Sequence, residues 1–81
     1  MSLATVQVFA SYAELLGAHK VQIQLPPGAT VDDVAAAIRE LPGGARLPAD
    51  LKIAINLEFA APRQPVDPRD ELALIPPVAG G

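Results

Sequence analysis

The sequence predicts an α+β fold, a roll in which one main helix crosses a mixed sheet of about five strands. Three observations predict it. Apolar residues recur at every second position in four short stretches, 4–10, 21–25, 51–56 and 71–75, which is the period of a half-buried strand. A single stretch, 31–41, carries its apolar residues at helical spacing instead. Proline and glycine clusters at 26–28 and 42–44 separate these stretches into the order ββαβ(β)β.

The first alternation places Ala4, Val6, Val8 and Ala10 on one face and Thr5, Gln7 and Phe9 on the other. Ser11-Tyr12-Ala13-Glu14 has the spacing of a capping box, and Leu15-Leu16-Gly17 follows, so a helix of one or two turns is predicted with Gly17 as its left-handed cap. Val21-Gln22-Ile23-Gln24-Leu25 is the second strand, stopped by Pro26-Pro27-Gly28 and pairing with the first as a hairpin-like unit. Thr30 is a natural N-cap, Asp32 and Asp33 suit the positive end of the helix dipole, and Arg39 suits the other end. Val31, Val34, Ile38 and Leu41 form the stripe that packs on the sheet. Pro42-Gly43-Gly44 stops this helix, and a crossover with a single helical turn leads on to Pro48. Leu51 to Asn56 is the third strand, with Leu51, Ile53 and Ile55 on its apolar face. Asn56-Leu57-Glu58-Phe59 is a tight turn into a short fourth segment. Residues 60–70 hold Pro62, Pro65 and Pro68, so they run over the surface, tied down at Val66. Glu71 to Ile75 closes the order, with Leu72 and Leu74 inward and Ala73 and Ile75 outward.

With 81 residues, 51% of them hydrophobic and 19% charged, the chain suits one small domain spanning 1–81, whose modest core leaves little room for an enclosed active site. It has no cysteine and one histidine, which excludes thiol catalysis, disulfides and thiolate metal sites. The net charge is −3 and the six cations are scattered, so nucleic acid is not an expected partner. Nothing approaches the roughly 18 apolar residues of a membrane span, and the first residues lack the basic-then-apolar layout of a leader peptide. The expectation is a cytoplasmic protein with no membrane partner. His19 reads as a solvated turn residue without a second ligand at metal-binding spacing. Asp32 and Asp33, about 100° apart on a helix, read as helix-start charges rather than a catalytic pair. Gly43-Gly44 lacks the Lys-Ser/Thr of a phosphate loop.

Function then concentrates at the end of the sequence, Pro76-Pro77-Val78-Ala79-Gly80-Gly81. Two prolines bar it from helix and sheet interior, so an extended tail from residue 76 is expected, reaching about 19 Å at roughly 3.1 Å per residue. Prolines at the base reduce the entropy lost on fixing the tail, and the terminal glycines pass a narrow channel. The group delivered at the tip is the Gly81 carboxylate.

Several stretches together resemble the MoaD/ThiS sulfur carriers, which are ubiquitin-like β-grasp proteins. They are Phe9-Ala10 with Glu14-Leu15-Leu16-Gly17, then Leu25-Pro26-Pro27-Gly28-Ala29-Thr30-Val31, then Ile53-Ala54-Ile55-Asn56, and most specifically the run from Asp70 to Gly81. The Pro76-Pro77-Val78 lead-in favours the molybdopterin branch over the thiamine branch. Two departures stand out: Ala13 where the family often has Arg, and Pro68-Arg69 where a turn glycine is common.

The resemblance implies a cycle with three partners. A ubiquitin-activating-like adenylating enzyme, using ATP and magnesium, converts the Gly81 carboxylate to an acyl-adenylate. A sulfur donor protein then leaves a thiocarboxylate. The large subunit of a molybdopterin synthase receives Pro76, Pro77, Val78, Ala79, Gly80 and Gly81 in its active site, where the sulfur passes to cyclic pyranopterin monophosphate. No cofactor or metal is implied on this chain itself, and the acid and base groups belong to the partners. Phe9, Phe59 and Ile75, left on the outer face, are the expected docking residues. A carrier for thiamine, cysteine or another thio-compound, and a ubiquitin-like modifier, are the alternative readings.

Overall fold

The computed structural model describes residues 1–76. Strand β1 (Ser2–Val8) buries Ala4, Val6 and Val8 and turns Leu3, Thr5 and Gln7 to the other face, as the alternation requires. The predicted extent of 4–10 is corrected at both ends. The strand begins at Ser2 and stops at Val8, and Ala10 is exposed instead of lying on the core face. Phe9 is the cause: it is extended (φ −124°, ψ 156°), and its carbonyl accepts the N–H groups of Tyr12 and Ala13. Helix α1 (Ala10–Leu16) therefore opens before Ser11, and no side-chain cap bond forms, so the predicted Ser11–Glu14 capping box is absent. Gly17 ends the helix in the left-handed region (φ 73°), its N–H donating to the Ala13 carbonyl at 2.8 Å, as predicted.

Strand β2 (Lys20–Leu25) runs antiparallel to β1 with Ala4 opposite Ile23 and Val6 opposite Val21. Helix α2 (Val31–Arg39) follows its N-cap Thr30, whose backbone N–H donates to the Asp33 carboxylate at 2.8 Å. The next two orphan donors of the helix start are satisfied from a distance. Val31 N–H donates to the Gln64 carbonyl (3.0 Å) and Asp32 N–H to the Pro62 carbonyl (2.9 Å). The proline-rich loop is thus fastened to the head of α2, and Val66 beneath it is buried, its N–H donating to the Ala29 carbonyl at 2.9 Å. The stripe reading is corrected at Leu41: the helix stops at Arg39, and Leu41 packs on the core, half-buried, from the turn beyond. A 3-10 turn (Gly44–Arg46) forms in the crossover, and Arg39 donates to the carbonyls of Pro48 (2.6 Å) and Ala49 (2.8 Å), closing that loop over the helix end.

Strand β3 (Lys52–Ile55) is shorter than predicted, with Leu51 half-buried before it and Asn56 already in the turn to β4 (Glu58–Phe59). Strand β5 (Leu72–Ile75) lies in the middle of a five-stranded sheet of order β2-β1-β5-β3-β4, parallel to β1 and antiparallel to β3. One face of the sheet packs against α2. Val6, Val8, Ile23, Leu25, Val31, Val34, Ile38, Ile53, Ile55, Leu72 and Leu74, the predicted core, are all buried there, joined by Tyr12, Leu47 and Val66. Among the described residues no polar or charged side chain is buried, and no helix is long and apolar enough to cross a membrane.

Candidate partner-docking face

The opposite face of the sheet has no helix over it. Its strands lie in register so that Gln7, Ala73, Ala54 and Phe59 form one row across β1, β5, β3 and β4. The two alanines in mid-row are too short to fill the space above them, and this leaves a hollow of about 210 Å³. Ala54 and Ala73 are its floor, Phe9, Leu57, Phe59 and Ile75 its walls, and Gln7 and Glu71 its polar rim. Phe9 reaches the hollow because it follows Val8, which pairs with Leu74, so that Phe9, the first residue past β1, comes level with Ile75 at the end of β5. Phe9 is 44% exposed and Phe59 71% exposed, while Ile75 is half-buried.

A second and larger hollow, about 510 Å³, opens on the far side of Phe59 and Ile75, which form the ridge between the two. Leu51, Ala60, Pro62 and Pro76 line it. Pro76, the last described residue, is therefore at the lip of this apolar surface. The predicted docking residues Phe9, Phe59, Ile75 and Pro76 thus lie on one continuous surface. Pro77, Val78, Ala79, Gly80 and Gly81 lie outside the described residues.

Sequence reasoning missed Leu57. It is 86% exposed and adopts φ 73°, following Asn56 at φ 50°. Two positive-φ residues in a two-residue hairpin loop favour Asn-Gly, and the leucine in the second place was the available signal. Asn56 fixes this hairpin to the loop before β5. Its side-chain oxygen accepts the Glu71 N–H at 2.9 Å, and its amide nitrogen donates to the Asp70 carboxylate at 3.2 Å. In that loop Asp67 accepts the Arg69 side chain at 3.1 Å and the Arg69 backbone N–H at 2.8 Å, and these two hydrogen bonds hold its carboxyl below the usual 3.8. Side-chain bonds of Asp67 and Asp70 thereby shape the turn at Pro68-Arg69.

Among the described residues no group of three or more His, Asp or Glu could hold a metal ion. Asp33 is engaged at the helix cap, and Asp32 and His19 are exposed.

The model of the ThiS family matches residues 6–81. The chain belongs to the ThiS family. This ThiS-family chain is 31% identical over 77 residues to the molybdopterin synthase sulfur carrier subunit of Arabidopsis thaliana, covering 94% of this chain and 80% of that protein. Its structure is similar to that of small archaeal modifier protein 1 of Haloferax volcanii (TM-score 0.83, 29% identity, 96% of this chain and all of that one). A Pyrococcus furiosus chain described as molybdopterin converting factor subunit 1 superposes equally well (TM-score 0.83, 25% identity, the same coverage). The fold is thus the ubiquitin-like β-grasp of the MoaD/ThiS sulfur carriers, and the resemblance drawn from the sequence is correct at the level of family.

Proposed function

We propose that this protein is the sulfur carrier subunit of a molybdopterin synthase, with the Gly81 carboxylate as the carrier group. The observation that carries the reading is the kinship with the Arabidopsis sulfur carrier subunit over nearly the whole chain, and the family match running through Gly81 supports it. On an adenylating enzyme, with ATP and magnesium, a Gly81 carboxylate oxygen attacks the α-phosphorus and pyrophosphate leaves. Hydrosulfide released by a donor protein then attacks the acyl carbon, the new C–S bond forming as the C–O bond to AMP breaks and AMP leaves, since a free carboxylate is too poor an electrophile to react directly. The thiocarboxylate so formed gives its sulfur to cyclic pyranopterin monophosphate in the active site of the large synthase subunit. This chain contributes the tail and the docking face around Phe9, Phe59 and Ile75; the acid and base groups are on the partners, and the cycle belongs to the cytoplasm.

A paired assay tests the pathway. Thiocarboxylated protein mixed with the large synthase subunit and cyclic pyranopterin monophosphate should yield molybdopterin, and mixed with thiazole synthase and its substrates should yield nothing comparable. The reverse result assigns the chain to the thiamine branch. A second reading, a ubiquitin-like modifier, is favoured by the similarity to small archaeal modifier protein 1. It requires Gly81 to be joined to lysine side chains of other proteins. Intact-mass spectra from the host separate the two: a carrier shows one oxygen exchanged for one sulfur, a modifier shows isopeptide conjugates.

A further inference from the structure

We infer that Leu57 is a specificity-determining anchor of the docking face, held out of the fold's own packing in order to contact the large synthase subunit. The inference rests on the sulfur-carrier reading and extends its docking surface by one residue. Leu57 takes no part in the core: it is 86% exposed, more than either phenylalanine, in a turn whose geometry favours glycine at its place. A leucine at φ 73° brings its Cβ against the following carbonyl, and exposure to water gives it no burial to offset that strain. The exposure cost falls on the free protein alone, while the backbone cost is carried in both states. In a complex that covers the hollow, the side chain completes the wall between Phe9 and Phe59, and its apolar surface leaves water.

The occupant of that hollow is one large apolar side chain of the partner, since about 210 Å³ above two alanines accepts a leucine or an aromatic ring. The charge on the rim is Glu71, with Asp70 behind it, while Lys20 and Lys52 lie outside the rim on the same face, opposite Gln7 and Ile75 in their strand pairs. The neighbouring Arg69 is engaged by Asp67 at 3.1 Å. The partner segment is therefore an apolar side chain with one Lys or Arg placed to meet Glu71. The hydrophobic contact supplies affinity, and the charges supply orientation and on-rate.

Three variants of the full 81-residue chain, Leu57→Gly, Leu57→Ala and Leu57→Met, test this by calorimetry against the large subunit and by thermal melting. Leu57→Gly relieves the turn and removes the anchor, so its Tm should equal or exceed that of the parent while Kd rises at least tenfold. A side chain that served only the fold could not give these opposite signs. Leu57→Ala should lose affinity to a similar extent, and Leu57→Met should restore it to within about threefold. A lowered Tm for Leu57→Gly would make Leu57 a folding residue and overturn the inference. Parental affinity in Leu57→Gly and Leu57→Ala, with weakened binding in Phe59→Asp, would overturn it while leaving the docking face standing. Parental affinity in all of these and in Phe9→Asp and Ile75→Asp would remove the docking face and the inference with it.

Discussion

A side chain's energetic role here follows from which face of the sheet it takes. Ile38, fully buried between α2 and the sheet, contributes through the atoms it removes from water. Ile38→Ala should cost about 2–5 kcal/mol in chemical denaturation. On the surface the effects are smaller and carry a pH signature. Asp67 is on the surface, and its carboxyl is lowered by the side-chain and then the backbone hydrogen bond from Arg69. A depressed acid stabilises the fold at every pH above its unfolded value and stops doing so as pH falls through its lowered value. Asp67→Asn should therefore leave the melting temperature at pH 2 unchanged relative to the parent and lower it slightly at pH 7. Residues such as Ile38 were legible because burial follows from period alone. Leu57 was not, because the alternation that finds strands gives no information on a turn residue's φ.

Among elements, the contact between α1 and the crossover is the least forgiving. Gly43 lies against the end of α1, at φ 86°, where a Cβ would come within 2.0 Å of the Leu15 carbonyl oxygen. Backbone cannot retreat as a side chain can. Gly43→Ala should destabilise the protein by on the order of 3 kcal/mol, seen as a lower denaturation midpoint with an unchanged m-value. By contrast Gly28, also at positive φ, has open space where its Cβ would be, so the same replacement there meets only the backbone term. The sequence marked Pro42-Gly43-Gly44 as a helix stop, and it is one. It could not indicate that the stop also receives a second helix, because that depends on where α1 lands. The same limit explains the start of α1: the Ser11–Glu14 spacing fits a capping box, yet the Phe9 carbonyl opens the helix earlier and leaves Ser11 inside it. The head of α2 shows a further case. Thr30 and its acidic neighbours were legible as a cap, whereas the carbonyls of Pro62 and Gln64, some thirty residues on, reach it only through the tertiary fold.

At the scale of the molecule, stability and the proposed function reside in different parts of the chain. The described core runs from Ala4 to Leu74, so deleting Gly81 should shift the melting temperature by less than a degree or so, within what loss of a terminal residue produces, while abolishing adenylation and sulfur transfer. Full sulfur transfer by the shortened chain would refute the carrier reading. The β-grasp order was legible in the alternations, and so was the outward placement of Phe9, Phe59 and Ile75. Their convergence on one hollow depends on a strand order, β2-β1-β5-β3-β4, that no local pattern encodes. That order has a consequence for how the protein is made. Of the described strands, the one in the middle of the sheet is the last to be synthesised. Until residues 72–75 emerge from the ribosome, the β1–β2 pair and the β3–β4 pair have nothing to join them, and Val6 and Ile55 have no common neighbour at Leu72. Non-local pairing of this kind is slow and is decided late. The strand that locks the sheet is also the one from which the tail departs at Pro76, so partners that read the assembled face meet no finished docking surface on an incomplete chain.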